Sequence, residues 1–440
     1  MLLASILLAC TANEGTQSAD TEWISGIETA TSEEIPSVIE VRFSTPEDAV
    51  AWIEFGDENL TRSTAVSALS TEHSFAVVGA SPLSEVTMRV VVQVDGEEHH
   101  SGVFSHESGG LLPETPTFEI MIDNYDPPEE AVLLMSVYSD PTYLVMLNFD
   151  GEVVWSKSNG GENDGHGLGI LPVNGEIQYN FFENVWDNGQ FNRMSLSGDP
   201  IETVDTPDSH HFFTAGPNGE PAWIQYTAEP QGNGSPVLGD SLVIGTGEDA
   251  RELFSTWDHL TFQPDPGNLP EWTHANGIEY SADRDSYLMS TAFADTLIEM
   301  DTEGNPLRII GGLNSADSDY QFEDEDDTFS YPHGVRWTSK GDLLLFSTID
   351  NVTRANRYEL NDETGIISKR WEFGADDGHE AHVLGEAHEL DDGNILLSWG
   401  SVGILQVVDP ATDTILWEAR SALQEFPTQV HYLDSPYTTR

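Results

Sequence analysis

The 440-residue chain carries 77 acidic against 16 basic residues, for a net charge of −61. A field of that sign repels nucleic acid and anionic lipid headgroups, so no nucleic-acid partner is expected; the surface reads as acidic, solvated and screened by counterions. With 38% apolar residues and 11 Trp, 12 Tyr and 19 Phe there is ample apolar surface for packed cores, which excludes wholesale disorder.

Residues 1–10 are apolar and end in Leu7-Leu8-Ala9-Cys10, which resembles a bacterial lipobox. The expectation is a lipoprotein-type signal segment with Cys10 as the lipidation site. The protein would then be exported and lipid-anchored in the periplasm or on the cell surface, meeting the membrane through that anchor alone. Cys10 is the single cysteine, so no intrachain disulfide is possible. No run of 18 apolar residues follows, so no spanning helix is predicted. Residues 11–35 are rich in Ser, Thr and Glu without apolar periodicity and read as a flexible acidic tether.

Residues 36–107 carry short alternating runs, at Val38–Phe43, Ala49–Phe55, Ser74–Val78 and Thr87–Val92. Period-2 patterning between turn residues predicts a small β-sandwich, and its last part looks fibronectin III-like. Its expected role is that of a spacer.

From residue 118 to 440 the pattern becomes a repeat of four short strands. The first turn of each unit falls at Gly175, Gly219, Arg284, Gly341 and Gly393, separated by 44, 65, 57 and 52 residues. Four strands at that period predict propeller blades. A partial unit covers Val132–Val137, Tyr143–Phe149 and Val153–Trp155, and Gln429–Leu433 is expected to supply its missing strand. The fold class is therefore all-β: a six-bladed β-propeller, closed by the pairing of its chain ends, preceded by the sandwich.

Histidine recurs at the head of the first strand of successive units: His166, His210 and His211, His274, and His333. They stand at offsets of 9, 8 (from His211), 10 and 8 residues from the following turns. Similar offsets place these side chains at similar heights around one axis, so these imidazoles are expected to converge at the channel mouth, with His166 and His211 as substrate-binding groups. Convergent His suits metal binding, acid–base work or hydrogen bonding to an oxyanion. A metal centre would also need carboxylates beside the imidazoles, and the sequence places none there, so neither metal nor cofactor is expected. The acidic run Asp317–Asp327 lacks the Gly and ligand spacing of a calcium loop. Arg354 is expected at the same mouth, where a guanidinium grips a tetrahedral oxyanion.

Several of these segments together resemble the bacterial arylsulfotransferase family. They are Trp272-Thr273-His274-Ala275-Asn276, Asp283–Ser290, Ile309–Gly312, Phe329–Val335, Thr353–Tyr358 and Gly385–Trp399, with the His166 and His210-His211 strands before them. The resemblance implies sulfuryl transfer from an aryl sulfate ester to a phenolic acceptor through an enzyme His, without a nucleotide sulfate donor. It implies His274, Asn276, His333 and Arg354 as the catalytic set, with small-molecule aryl sulfate and phenol as partners. It also implies a further His in the late blades. Gly385 stands in that register, with His379 and His382 before it and His388 after it, and the nucleophile stays open between these positions. The alternative is a non-enzymatic propeller lipoprotein that binds a ligand or partner and has lost the family activity.

Overall fold

The structure, a computed structural model, describes residues 22–57, 59–159, 167–173, 175–184, 187–230, 236–263, 270–374, 381, 383–423 and 425–438. The chain divides into two units, 1–111 and 112–440.

The N-terminal unit is organised by one strand, Ile39–Gly56. It buries alternate side chains, Ile39, Val41 and Phe43 before a break and Ala49, Ala51, Ile53 and Phe55 after it. The break contains Pro46, which has no N–H for the ladder, and the register shifts between Ser44 and Ala49. Before it the strand pairs with Ser25–Thr31 and Ser70–Val77; after it, with Glu85–Val94. One strand thus serves two layers, and the seven strands form a half-barrel compatible with the expected small sandwich. The runs read separately at 38–43 and 49–55 are one strand. The tether predicted over 11–35 is also shorter, because Ser25–Thr31 is a strand. Its side chains are mostly exposed, so backbone pairing rather than apolar burial holds it, and hydrophobic patterning carries no trace of it.

The second unit is a six-bladed propeller. Blade 1 holds Val132–Tyr138, Tyr143–Asn148 and Val153–Ser158. Blades 2 to 6 begin at Ile170, Ser209, Ala275, His333 and Glu386. Blade faces pack on one another, so inner strands such as Val132–Tyr138 and Ser286–Thr291 are buried on both sides and read as continuous runs. The clusters between blades pair, for example, Phe254 and Trp272 with Met289, and Phe346 with Trp399.

Closure is double. Phe426–Leu433 is the innermost strand of blade 1, paired to Val132–Tyr138, as the sequence predicts. Phe118–Asp123, not assigned from sequence, is the outermost strand of blade 6, paired to Thr414–Ser421. The first and last strands of the propeller unit thereby cover sheet edges that would otherwise be open.

Just below their heads the innermost strands approach one another closely. Gly334 has φ +54°, and a Cβ there would lie 2.4 Å from the Gly385 carbonyl oxygen of the next blade. Gln429 closes the other side, accepting from the Ile170 N–H of blade 2 at 2.9 Å and donating to the Phe213 carbonyl of blade 3 at 3.4 Å. Deeper still, Arg336 donates to Glu279 at 3.0 Å and lies 3.5 Å from Glu386. Burial opposes the Arg336 charge, but the two carboxylates more than offset it and hold the guanidinium protonated.

Candidate active site

Consecutive blades start their innermost strands with a residue in the left-handed region: His211 (φ +55°), His274 (φ +49°) and Tyr331 (φ +51°). The ladder register slips at each of these heads, at His210/Phe213, Ala275/Gly277 and His333/Arg336. A bulge of this kind re-aims a side chain out of the alternating pattern. Non-glycine residues in that region cost about 1–3 kcal/mol each and persist where their surroundings hold them.

At the head of blade 3, His210 and His211 share a 2.7 Å hydrogen bond between their Nδ1 atoms. His210 Nε2 lies 2.9 Å from Asp240 Oδ1, and both side chains are fully buried. Asp240 Oδ2 accepts the Thr273 hydroxyl and the Ala275 N–H, each at 2.6 Å. One carboxylate therefore ties the blade 3 histidines to the strand that carries His274. Tyr226 stacks on His210 with ring centres 3.7 Å apart.

His274 is held through Nδ1 by the Glu271 carboxylate. Its ring stacks on Phe293 at 4.4 Å and meets His211 edge-on at 4.7 Å. His333 donates from Nδ1 to the Tyr331 carbonyl at 3.2 Å, which leaves its lone pair on Nε2. Phe293 and Tyr331 lie 5.7 Å apart, and the Tyr331 ring lies 5.2 Å from His333. A small cleft adjoins Phe293, lined also by Leu260, Trp272 and Ala316.

Burial pushes the His333 imidazole down to about 4, with His274 adding to the effect. His211 is held well below the usual range, first by burial and then by the neighbouring His274, His210 and His333. Both are therefore neutral near pH 7, and a neutral imidazole is the nucleophilic form.

The structure brings His211, His274 and His333 together, as the spacing predicts. His166 lies outside the described residues, as do Cys10, His379 and His382. Asn276 does not face the mouth. It is buried, donates to the Pro332 carbonyl at 3.0 Å and accepts from Ser290 at 2.7 Å, latching blade 4 to the residue before His333. Arg354 lies on the third strand of blade 5, at mouth height but two strand spacings, roughly 10 Å, out from the innermost strand. Its charged contact among the described residues is Glu372, 3.9 Å away on the outermost strand. His388 lies 3.2 Å from Glu386.

Sequence reasoning missed the carboxylates, since it placed none beside the imidazoles and the structure places Asp240 and Glu271 there. Asp240 left one trace, a lone charge within Val237–Ile244 where apolar residues dominate. Both are engaged with imidazoles, and no group of three or more His, Cys, Asp or Glu among the described residues is arranged to hold a metal ion.

The class of protein is a six-bladed propeller, in which three imidazoles meet near the heads of consecutive innermost strands. The chain belongs to the arylsulfotransferase (ASST) family, whose description matches residues 121–436. Among solved structures it is similar to a Bacteroides caccae protein of unknown function, at 13% identity and a TM-score of 0.47, covering 69% of this chain and 99% of that one. A putative 6-phosphogluconolactonase from Bacteroides fragilis is similar at 10% identity and a TM-score of 0.40, covering 70% and 100%. A streptogramin B lyase is similar at 14% identity and 0.40, covering 72% and 89%. No curated protein matches the sequence.

Proposed function

We propose that the protein transfers a sulfuryl group from an aryl sulfate ester to a phenolic acceptor at the His211–His274–His333 cluster, without a nucleotide donor. The observation that carries this reading is the convergence of three imidazoles from three consecutive blades, with His333 held neutral. Family membership supports aryl sulfotransfer in general, and the aromatic walls of Phe293 and Tyr331 suit an aryl ring.

In the first half-reaction the His333 Nε2 lone pair attacks sulfur, and the sulfur–oxygen bond to the aryl group breaks. The departing phenolate takes a proton from His274, which Glu271 orients. In the second half, the acceptor phenol returns a proton to His274 as its oxygen attacks sulfur. The sulfur–nitrogen bond then breaks, and its electron pair goes back to Nε2 of His333. Glu271 stabilises the protonated His274 before the first step and after the second, as a carboxylate does for an imidazolium. Asn276 keeps a supporting role, since its bonds set the Pro332 segment.

The test is incubation of the purified protein with 4-nitrophenyl sulfate and phenol. Acceptor-dependent release of 4-nitrophenolate, with phenyl sulfate formed in equal amount, is expected. A folded protein that releases none with any of several phenols overturns the reading. The lipobox-like segment and the acidic stretch after it support export with Cys10 as the lipid-bearing residue, tested by loss of membrane association in Cys10→Ser.

A further inference from the structure

Asp240 touches no surface, lies on the third strand of blade 3, and is absent from every segment that carries the family resemblance. It nevertheless meets three groups that set the site: His210 Nε2, the Thr273 hydroxyl and the Ala275 N–H. Its own N–H donates to Thr256 Oγ1 at 3.0 Å, which fixes the strand beneath it. We infer that Asp240 is the positioning residue of the site, holding a carboxylate–imidazole–imidazole relay that sets the proton arrangement of His211. The inference rests on the sulfuryl-transfer reading for its catalytic consequence, though not for its structural one.

The argument follows from donors and acceptors. A carboxylate only accepts, so His210 donates from Nε2. A neutral His210 then has its lone pair on Nδ1, and the 2.7 Å bond makes His211 the donor from its own Nδ1. The lone pair of His211 is thereby placed on Nε2. Tyr226, stacked on His210, stops the middle ring from turning out of line. The same carboxylate pins Ala275, the residue after the left-handed His274, so the relay and the His274 bulge share one anchor. The consequence for transfer is directional: with its lone pair on Nε2, His211 accepts rather than donates beside His274, the ring that exchanges the proton with the phenol. No proton leaves the relay in this arrangement, and no bond beyond those of the two half-reactions changes.

Asp240→Asn tests this. Its carbonyl can still accept from Thr273 and Ala275, while its NH2 faces His210 Nε2 and forces that atom to become an acceptor. The proton of His210 then moves to Nδ1, and His211 Nδ1 must lose its own. Two readouts are taken on the full chain. The first, on the resting protein, is the nitrogen chemical shifts of the two histidines by NMR. His210 should be protonated on Nε2 in the parent and on Nδ1 in the variant. The second is 4-nitrophenyl sulfate to phenol transfer, where kcat should fall about a hundredfold or more with KM for the donor changed little, as when a buried carboxylate behind a catalytic imidazole is neutralised. His210→Gln is the companion variant. Its amide can donate to Asp240 and accept from His211, so it keeps the direction of the relay and should retain most of the activity, and it stands in if Asp240→Asn does not fold. Unchanged tautomers in Asp240→Asn, an unchanged kcat in the folded variant, or a His210→Gln variant as inactive as His210→Leu overturns the inference. If the parent shows inverted tautomers on substitution but no sulfuryl transfer, the relay stands and the functional reading falls.

Discussion

The carboxylate of Asp295, in the second-to-third strand turn of blade 4, accepts the backbone N–H of Tyr331 at the head of blade 5 at 2.6 Å. The same carboxylate also accepts from the Ser330 hydroxyl and from the Asn314 backbone and side chain. Tyr331 is the left-handed residue whose carbonyl orients His333. Asp295→Ala leaves these buried donors without an acceptor. It should lower stability by about 3 kcal/mol and misplace His333, measured by urea unfolding and by transfer rate. A loss below about 1 kcal/mol would show that the turn holds itself.

Stability should depend on acid through His333. Its imidazole titrates near 4 when folded, against 6.5 for an unburied His. Between those values the unfolded chain binds a proton that the native state does not, so stability present above pH 6.5 is lost as pH falls toward 4. The loss from this group is about 3 kcal/mol, and His211 acts in the same direction. Urea midpoints across this window should slope less steeply in His333→Gln; an unaltered slope would place the acid sensitivity elsewhere.

His333→Ala should abolish transfer, and His274→Ala should depress it most for poor leaving groups, which need a proton. Acid quench of the parent with donor alone should trap one sulfuryl group on the His333 peptide. A trapped group on another histidine would move the nucleophile and refute the assignment made from the Nδ1 bond to Tyr331.

Gly334→Ala should be severely destabilising. The added Cβ would lie 2.4 Å from the Gly385 oxygen and 2.7 Å from the Glu386 Cα, in a backbone conformation of φ +54°. Strain and overpacking together amount to about 3 kcal/mol or more. A variant melting like the parent would mean that the blades part easily at this level.

Deleting residues 426–440 removes the innermost strand of blade 1 and exposes the apolar edge Val132–Tyr138. The expected product is aggregated, by size-exclusion chromatography, since an open apolar edge pairs with other chains. A soluble monomer with parent-like circular dichroism would contradict the closure.

Much of the propeller was legible because its rules are local. Apolar runs of strand length and turns at Gly175, Gly219, Gly341 and Gly393 recur along the chain, and all four glycines adopt the positive φ their turns require. Phe118–Asp123 was not legible, because its exposed, alternating pattern belongs equally to a linker and its partner Thr414–Ser421 lies some 300 residues away. The histidines were legible as a set through their similar distances, 8 to 10 residues, from each first turn. The radial position of Arg354 was not legible, because distance along the chain gives height in a blade and nothing more. Its strand is two spacings out from the innermost one, and its guanidinium lies 3.9 Å from Glu372.

The sequence by itself determined an acidic, all-β chain, its six-fold repeat, and the ring of strand heads where His211, His274 and His333 meet. Each of those follows from composition or from periodicity, which is written residue by residue. Only the tertiary structure decided which polar groups face those imidazoles. Asp240 reaches His210 across 30 residues and Ala275 across 35, and Asp295 reaches Tyr331 across 36. The first forms across the strands of one blade, and the other two form where neighbouring blades are pressed together. The strained bulges that aim the histidines are held by the packing between blades, which no local pattern encodes.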